Sequence, residues 1–271
     1  MQIIDRRIGD IIRIPSNQFA SSHFFPANCL EWIPTCLSIF FYIFIFALLT
    51  SSPFNSVLSK FQTDRIYEQK YEDIRPCIYV GTLASLTLSS LVAIPFCIYA
   101  VLVGGIEPYF IFTGFMGYLG FALTLSTMVY NSILKQYRKI FLYFTYSMVL
   151  SFLLSLVFHF IIGMTITYSM LLALSIGFLL IASLELSNVL RYFPTNSGRY
   201  KDVLRYFCKY WKLIASNFLY TLGLFAHNFV YWTQPWNLVI RNTFVSNQSY
   251  DMASCIAMFT NISASVFFIS R

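Results

Sequence analysis

Fixed charges cut this chain into long apolar runs. A helix rises about 1.5 Å per residue, so about 20 uncharged residues carry it across the hydrocarbon of a bilayer. Trp32 to Ser59 is one such run, closed by Lys60. Pro76 to Ile106 follows, with Gly104 and Gly105 near its exit, and then Tyr109 to Leu134. From Ile140 to Leu184 no residue carries a fixed charge and only His159 is ionisable. That run is too long for one crossing and divides at Gly163–Met164–Thr165, where glycine favours a turn. A sixth run covers Leu213 to Trp232, and a seventh begins at Met252 and reaches Arg271. The pattern predicts an all-α polytopic transmembrane bundle of about seven spans.

The polar gaps test that count, because loops on alternate sides of a membrane differ in lysine and arginine. Lys60, Arg65, Lys70 and Arg75 lie in the first gap; Lys135, Arg138 and Lys139 in the third; Arg191, Arg199, Lys201, Arg205, Lys209 and Lys212 in the fifth. The gaps between them hold only Arg241. This alternation predicts a multi-pass protein of the cell (inner or cytoplasmic) membrane with the basic loops in the cytoplasm. The amino-terminal tail, residues 1–31, would then be extracytoplasmic, against the tendency of its own Arg6, Arg7 and Arg13.

Composition narrows the class. Of 271 residues, 58% are hydrophobic and 11% charged, against about 25% charged in a soluble domain. The net charge of +7 sits in short gaps between apolar runs, which sets membrane orientation and excludes the continuous basic stripe of a nucleic-acid binder. The six cysteines are scattered, with no CxxC pair, so neither a disulfide framework nor a metal site is expected. No apolar signal-peptide core precedes Trp32. Glycosyltransferase Asp-x-Asp, Walker, HExxH and GxSxG signatures are lacking, so no catalytic residue and no cofactor are assigned.

Three segments carry a family resemblance. The first runs from Thr50-Ser51-Ser52-Pro53 through Lys60 to Thr63-Asp64-Arg65-Ile66-Tyr67. The second includes Arg191-Tyr192-Phe193-Pro194 and Leu204-Arg205-Tyr206, then Tyr220-Thr221-Leu222-Gly223 leading to Trp232 and Pro235. The third is Ser249-Tyr250-Asp251-Met252-Ala253. In this order they resemble the PelG family of Pel polysaccharide transporters, from about residue 40 to the end. The resemblance implies a fold shared with MATE and lipid-linked oligosaccharide flippases, with these spans similar to helices two to eight and the chain truncated at both ends. It divides the chain into first-half helices at 32–187, a basic cytoplasmic linker at 188–212 and the start of a second half at 213–271. It implies export of a polysaccharide or lipid-linked sugar by alternating access. Membrane lipids, a cytoplasmic glycosyltransferase and other export subunits are the implied partners.

Other functions within reach are a lipid-linked oligosaccharide flippase, a MATE-type antiporter, and a non-catalytic scaffold for a polysaccharide synthase. An acyltransferase centred on His159 is more remote, since a lone histidine at a span end ordinarily meets headgroup water. Ionisable and polar groups inside spans are the candidate site residues. His227, Asn228 and Tyr220 are expected to line a transport cavity, although the family commonly has charged residues where His227 and Asn228 stand. Pro53 could act as a hinge, and Asp64 with Arg65 as a cytoplasmic gate on a short surface helix laced with ion pairs. Glu185 is expected to be solvated at the end of span five, Glu107 to mark a helix end, and Asp251 to cap the last span. Tyr220, Tyr231, Trp232 and Trp236 could stack on sugar rings, with the membrane interface as the ordinary setting of Trp232 and Trp236.

Overall fold

A computed structural model describes residues 29–234 without interruption, and beyond them 237–240, 243–247, 250–254, 256, 257 and 260, with side chains described from Ile39 onward except at 238–240 and 246. Trp236, Arg241, Cys255, the tail arginines and most of the expected seventh span lie outside the described residues. Six helices among the described residues are long and apolar enough to cross a membrane. They are α1 (Cys29–Tyr67), α2 (Ile74–Leu102), α3 (Pro108–Ile133), α4 (Tyr137–Phe160), α5 (Ile166–Tyr192) and α7 (Trp211–Trp232). A short amphipathic helix, α6 (Tyr200–Lys209), precedes α7. After α7 a hairpin of β1 (Leu238–Ile240) and β2 (Phe244–Ser246) pairs antiparallel, with Val239 opposite Val245.

The expected breaks fall where the sequence places them. Helix α4 ends at Phe160 and α5 begins at Ile166, and Gly163 takes a positive φ of 77° in the turn between them. Gly105 does the same, at 59°, between α2 and α3. One boundary differs. The uncharged run closes at Lys60, but α1 continues unbroken to Tyr67. Charge ends a span without ending a helix, and Lys60 to Tyr67 contains neither glycine nor proline. The surface helix expected in this gap is therefore the tail of α1.

The bundle packs by close approach of small residues, the usual means where lipid offers no hydrophobic drive between helices. On α3, a Cβ added to Gly120 would meet the Leu179 backbone nitrogen of α5 at 3.2 Å. Gly177 of α5 leaves room for Ser151 of α4. Phe121 and Phe178 fill the space beside the α3–α5 crossing with ring centroids 4.7 Å apart. Outward-facing Leu83, Leu91, Phe141, Tyr146 and Phe152 are exposed, as a lipid-facing surface requires.

The basic gaps meet at one end of the bundle. Arg75 Nη1 donates to the Pro194 carbonyl at 2.7 Å, and the Ser197 amide to the Glu72 carbonyl at 3.2 Å. Lys139 Nζ donates to Asn188 Oδ1 at 3.1 Å, joining the start of α4 to the last turns of α5. At the opposite end His159 Nδ1 lies 3.0 Å from the Met164 carbonyl, tying down the α4–α5 turn. His159 is thus half-buried in a structural contact.

Candidate functional site

Helix α7 divides the expected cavity residues between its two faces. Tyr220 is 72% exposed, and His227 is exposed one helical stripe along from it. Gly223 lies between them with nothing within 4 Å of an added Cβ. Asn228 points the other way and is fully buried. Its Nδ2 lies 3.2 Å from His227 Nε2, while its Oδ1 has no hydrogen-bond partner. The sequence therefore places two of the three residues on an uncovered face and the third against the bundle.

The buried face of α7 is fixed to α1 and the hairpin. Tyr42 of α1 stacks on Trp232 with centroids 4.1 Å apart and planes 7° from parallel. The Tyr42 hydroxyl donates to the Val245 carbonyl at 2.6 Å. The Trp232 indole donates to Asp251 Oδ1 at 3.2 Å. Trp232 is only 9% exposed, so its ring is occupied within the protein and is not free to stack on a sugar. Tyr231 stacks on Tyr250 at 3.7 Å. Asp251 is buried in this contact rather than standing at an open boundary.

Pro53 lies within the unbroken α1 and is itself buried. Proline has no amide hydrogen, so the Leu49 carbonyl receives no helical bond from it. Hydroxyls cluster beside this gap. Thr50 Oγ1 lies 2.8 Å from the Phe46 carbonyl and 2.8 Å from the Tyr118 hydroxyl, and Ser89 Oγ donates to it at 3.1 Å. Asn217 Nδ2 of α7 donates to the Ser52 carbonyl. Interhelical hydroxyls of this kind are what make a proline tolerable inside a span.

Asp64 and Arg65 do not pair with each other. Asp64 Oδ2 accepts a hydrogen bond from the Tyr206 hydroxyl of α6 at 2.6 Å. Arg65 bonds to Glu68 at 2.8 Å and lies 3.7 Å from Asp73. Lys70 and Arg65 beside it hold the Glu68 carboxyl below the usual carboxylate range. Burial, with Asp64 alongside, pushes the Tyr206 hydroxyl above the usual tyrosine range. Aromatic edges reinforce the junction: Phe61 meets Tyr206 at 5.0 Å and Phe54 meets Phe207 at 5.8 Å. Tyr206 and Phe207 face the bundle while Lys201, Arg205 and Lys209 of α6 are exposed.

Glu185 corrects the sequence reading. It was expected in solvent, yet it is 0% exposed, because Thr127 and Asn131 of α3 close over it. Thr127 Oγ1 lies 2.6 Å from Glu185 Oε2, and Asn131 Nδ2 donates to the Glu185 carbonyl at 3.2 Å. Glu107 behaves as expected, exposed at the amino-terminal cap of α3.

A cavity of about 220 Å³ opens between α1, α2, α3 and the hairpin. Its walls are almost wholly apolar, with Tyr42, Phe46, Phe96, Phe110, Tyr118 and Phe244 prominent. None of His227, Asn228 and Tyr220 lines it. Its chemistry suits a hydrocarbon chain better than a hydrated sugar. No cluster of metal-ligating side chains occurs among the described residues.

Comparison with known proteins yields one family. The family model described as "PelG: Putative exopolysaccharide Exporter (EPS-E)" matches residues 19–271. No curated protein matches the chain, and no solved structure does.

Proposed function

The chain belongs to the PelG exopolysaccharide-exporter family, and from that premise we propose that it forms part of the passage by which an exopolysaccharide crosses the cytoplasmic membrane. The observation that carries this reading is a family match running through all six membrane-spanning helices. Transport proceeds by alternating access, with helical halves rocking about a polar path. The exposed stripe of α7 bearing Tyr220, Gly223 and His227 forms one wall of that path. Support for this placement is chemical: histidine and tyrosine are costly against lipid tails and favourable against a hydrated sugar. Pro53 serves as the bend, and the Asp64–Tyr206 bond closes the basic end, which faces the cytoplasm by its lysine and arginine content.

A second reading, a scaffold that recruits a polysaccharide synthase, has the exposed basic face of α6 in its favour. Deleting the gene separates the two. An exporter's loss abolishes surface polymer while polymer or its precursor continues to be made inside the cell. If synthesis itself stops with the synthase still present and active in extracts, the scaffold is correct and the exporter reading falls.

A further inference from the structure

Glu185 sits in the bundle without a counter-ion. No ion pair to it is formed among the described residues. The charged and titratable groups on the packed elements are few. Helix α3 carries no fixed charge and presents buried Tyr130; α2 contributes the Cys77 thiol to the same cluster as Tyr130 and Val189. Helix α4 contributes Lys139, whose ammonium is bonded to Asn188. On α1, Asp64 is bonded to Tyr206, Arg65 pairs with Glu68 and lies near Asp73, and exposed Lys60 sits over the Tyr210 ring. On α2, Arg75 is bonded to the Pro194 carbonyl, and Arg191 on α5 itself is exposed. An ionised carboxylate enclosed in this way is strongly disfavoured, because no neighbouring charge offsets its lost hydration.

The hydrogen count points the same way. Thr127 Oγ1 lies 2.6 Å from Glu185 Oε2, 3.0 Å from the Leu123 carbonyl and 3.1 Å from the Thr124 carbonyl. A threonine hydroxyl has one hydrogen to give. With Glu185 ionised, three acceptors compete for it. With a proton on Oε2, the acid donates to Thr127 Oγ1, and the threonine hydrogen is free for a backbone carbonyl. The remaining oxygen, Oε1, is buried without a partner, which an uncharged carbonyl oxygen bears far better than a carboxylate oxygen.

A polar ladder runs from the exposed basic end to the backbone carbonyls of Glu185 and of Thr127, the residue whose hydroxyl meets the carboxyl. Lys139 Nζ donates to Asn188 Oδ1, and Asn188 Nδ2 donates to Asn131 Oδ1 at 2.8 Å and Gln136 Oε1 at 2.9 Å. Asn131 Nδ2 reaches the Glu185 carbonyl and the Thr127 carbonyl, each at 3.2 Å. We propose that Glu185 is a proton-binding site, and that its proton holds α3 against α5 at the basic end of the bundle. When the proton leaves, the carboxylate needs donors that the enclosed site lacks. Water entering along the Asn131–Asn188 side supplies them and parts the two helices. The ligand is the proton alone, and the site does not depend on what the chain exports.

The test uses the full chain in lipid nanodiscs. Infrared spectra at neutral pH are compared for the wild type and Glu185→Gln, with Thr127→Val as a second variant. A protonated-carboxyl stretching band that disappears in Glu185→Gln and shifts in Thr127→Val is the expected result. A wild type without such a band overturns the proposal, and so does a band that both variants leave unchanged. Spin labels at positions 135 and 191 read the helix separation in the wild type as pH is raised. A lengthening that Glu185→Gln lacks supports the proposal. A distance constant with pH, or one that follows sodium at fixed pH, overturns it. Because no readout involves polymer, a failed export assay and a failed proton site remain distinguishable.

Discussion

Gly117 of α3 meets Ser175 of α5 where the two helices cross, and the contact can be made to fail by one methyl group. A Cβ at Gly117 would stand 2.6 Å from Ser175 Oγ but 3.5 Å from Ser175 Cβ. The conflict is thus with the hydroxyl and not with the helix behind it. Ser175 Oγ lies 2.7 Å from the Leu171 carbonyl and 3.0 Å from the Thr113 carbonyl. Displacing it sacrifices the interhelical bond to Thr113, about 1 kcal/mol, and overpacking adds about 1–3 kcal/mol. Gly117→Ala should therefore destabilise the bundle by about 2–4 kcal/mol. Ser175→Ala alone should cost about 1 kcal/mol. In the double variant the facing carbons meet at ordinary contact distance, so the total should stay near the Ser175→Ala value. The coupling energy would then be about 2–4 kcal/mol in favour of the pair. Unfolding free energies of the four proteins in bicelles, measured by steric trapping, give the cycle directly. A neutral Gly117→Ala, or a double variant no better than Gly117→Ala, would refute close packing of α3 on α5.

Trp232→Phe keeps an aromatic ring against Tyr42 but removes the indole donor to Asp251, and should cost about 1–3 kcal/mol; an unchanged melting temperature by circular dichroism would show that this hydrogen bond carries no weight. Tyr206→Phe tests the bond from α6 to Asp64. Because the Tyr206 hydroxyl titrates above its unfolded range, its contribution is fully present below about pH 10 and is lost as pH climbs beyond it. The melting-temperature gap between wild type and Tyr206→Phe should hold between about pH 6 and 9, and a gap that closes near neutrality would contradict the assignment.

The spans were legible because each is a run of one property, apolarity, over a length set by the bilayer. The break at Gly163 was equally plain, since glycine there takes a conformation other residues avoid. The extension of α1 to Tyr67 was not, because charge reports where lipid ends and is silent on where helical hydrogen bonding ends. Glu185 was misjudged for a different reason. Its place beside Leu184, at the close of an uncharged run, looks like a boundary, and the residues that enclose it lie on another helix. Thr127 is 58 positions away in sequence, beyond any periodicity argument. Asn228 was legible as a polar residue within a span, but one sequence could not say which neighbour its face would meet. The partnership of Asp64 with Tyr206 was hidden in the same way, with a separation of 142 positions.

The length of α1 has a mechanical consequence. Its stretch from Ile39 to Tyr67, 29 residues, rises about 44 Å at 1.5 Å per residue, about half as long again as the hydrocarbon of a bilayer. With the bend proposed at Pro53, the 14 residues beyond it, ending at Tyr67, form an arm of about 21 Å, pivoted where the proline leaves the helical bonding interrupted. A bend of about 20° there would sweep the tip through about 7 Å. Asp64 sits near that tip and is bonded to α6, so the stroke would be delivered to the helix that leads into α7. A small rearrangement deep in the bilayer would in this way become a large displacement at its surface.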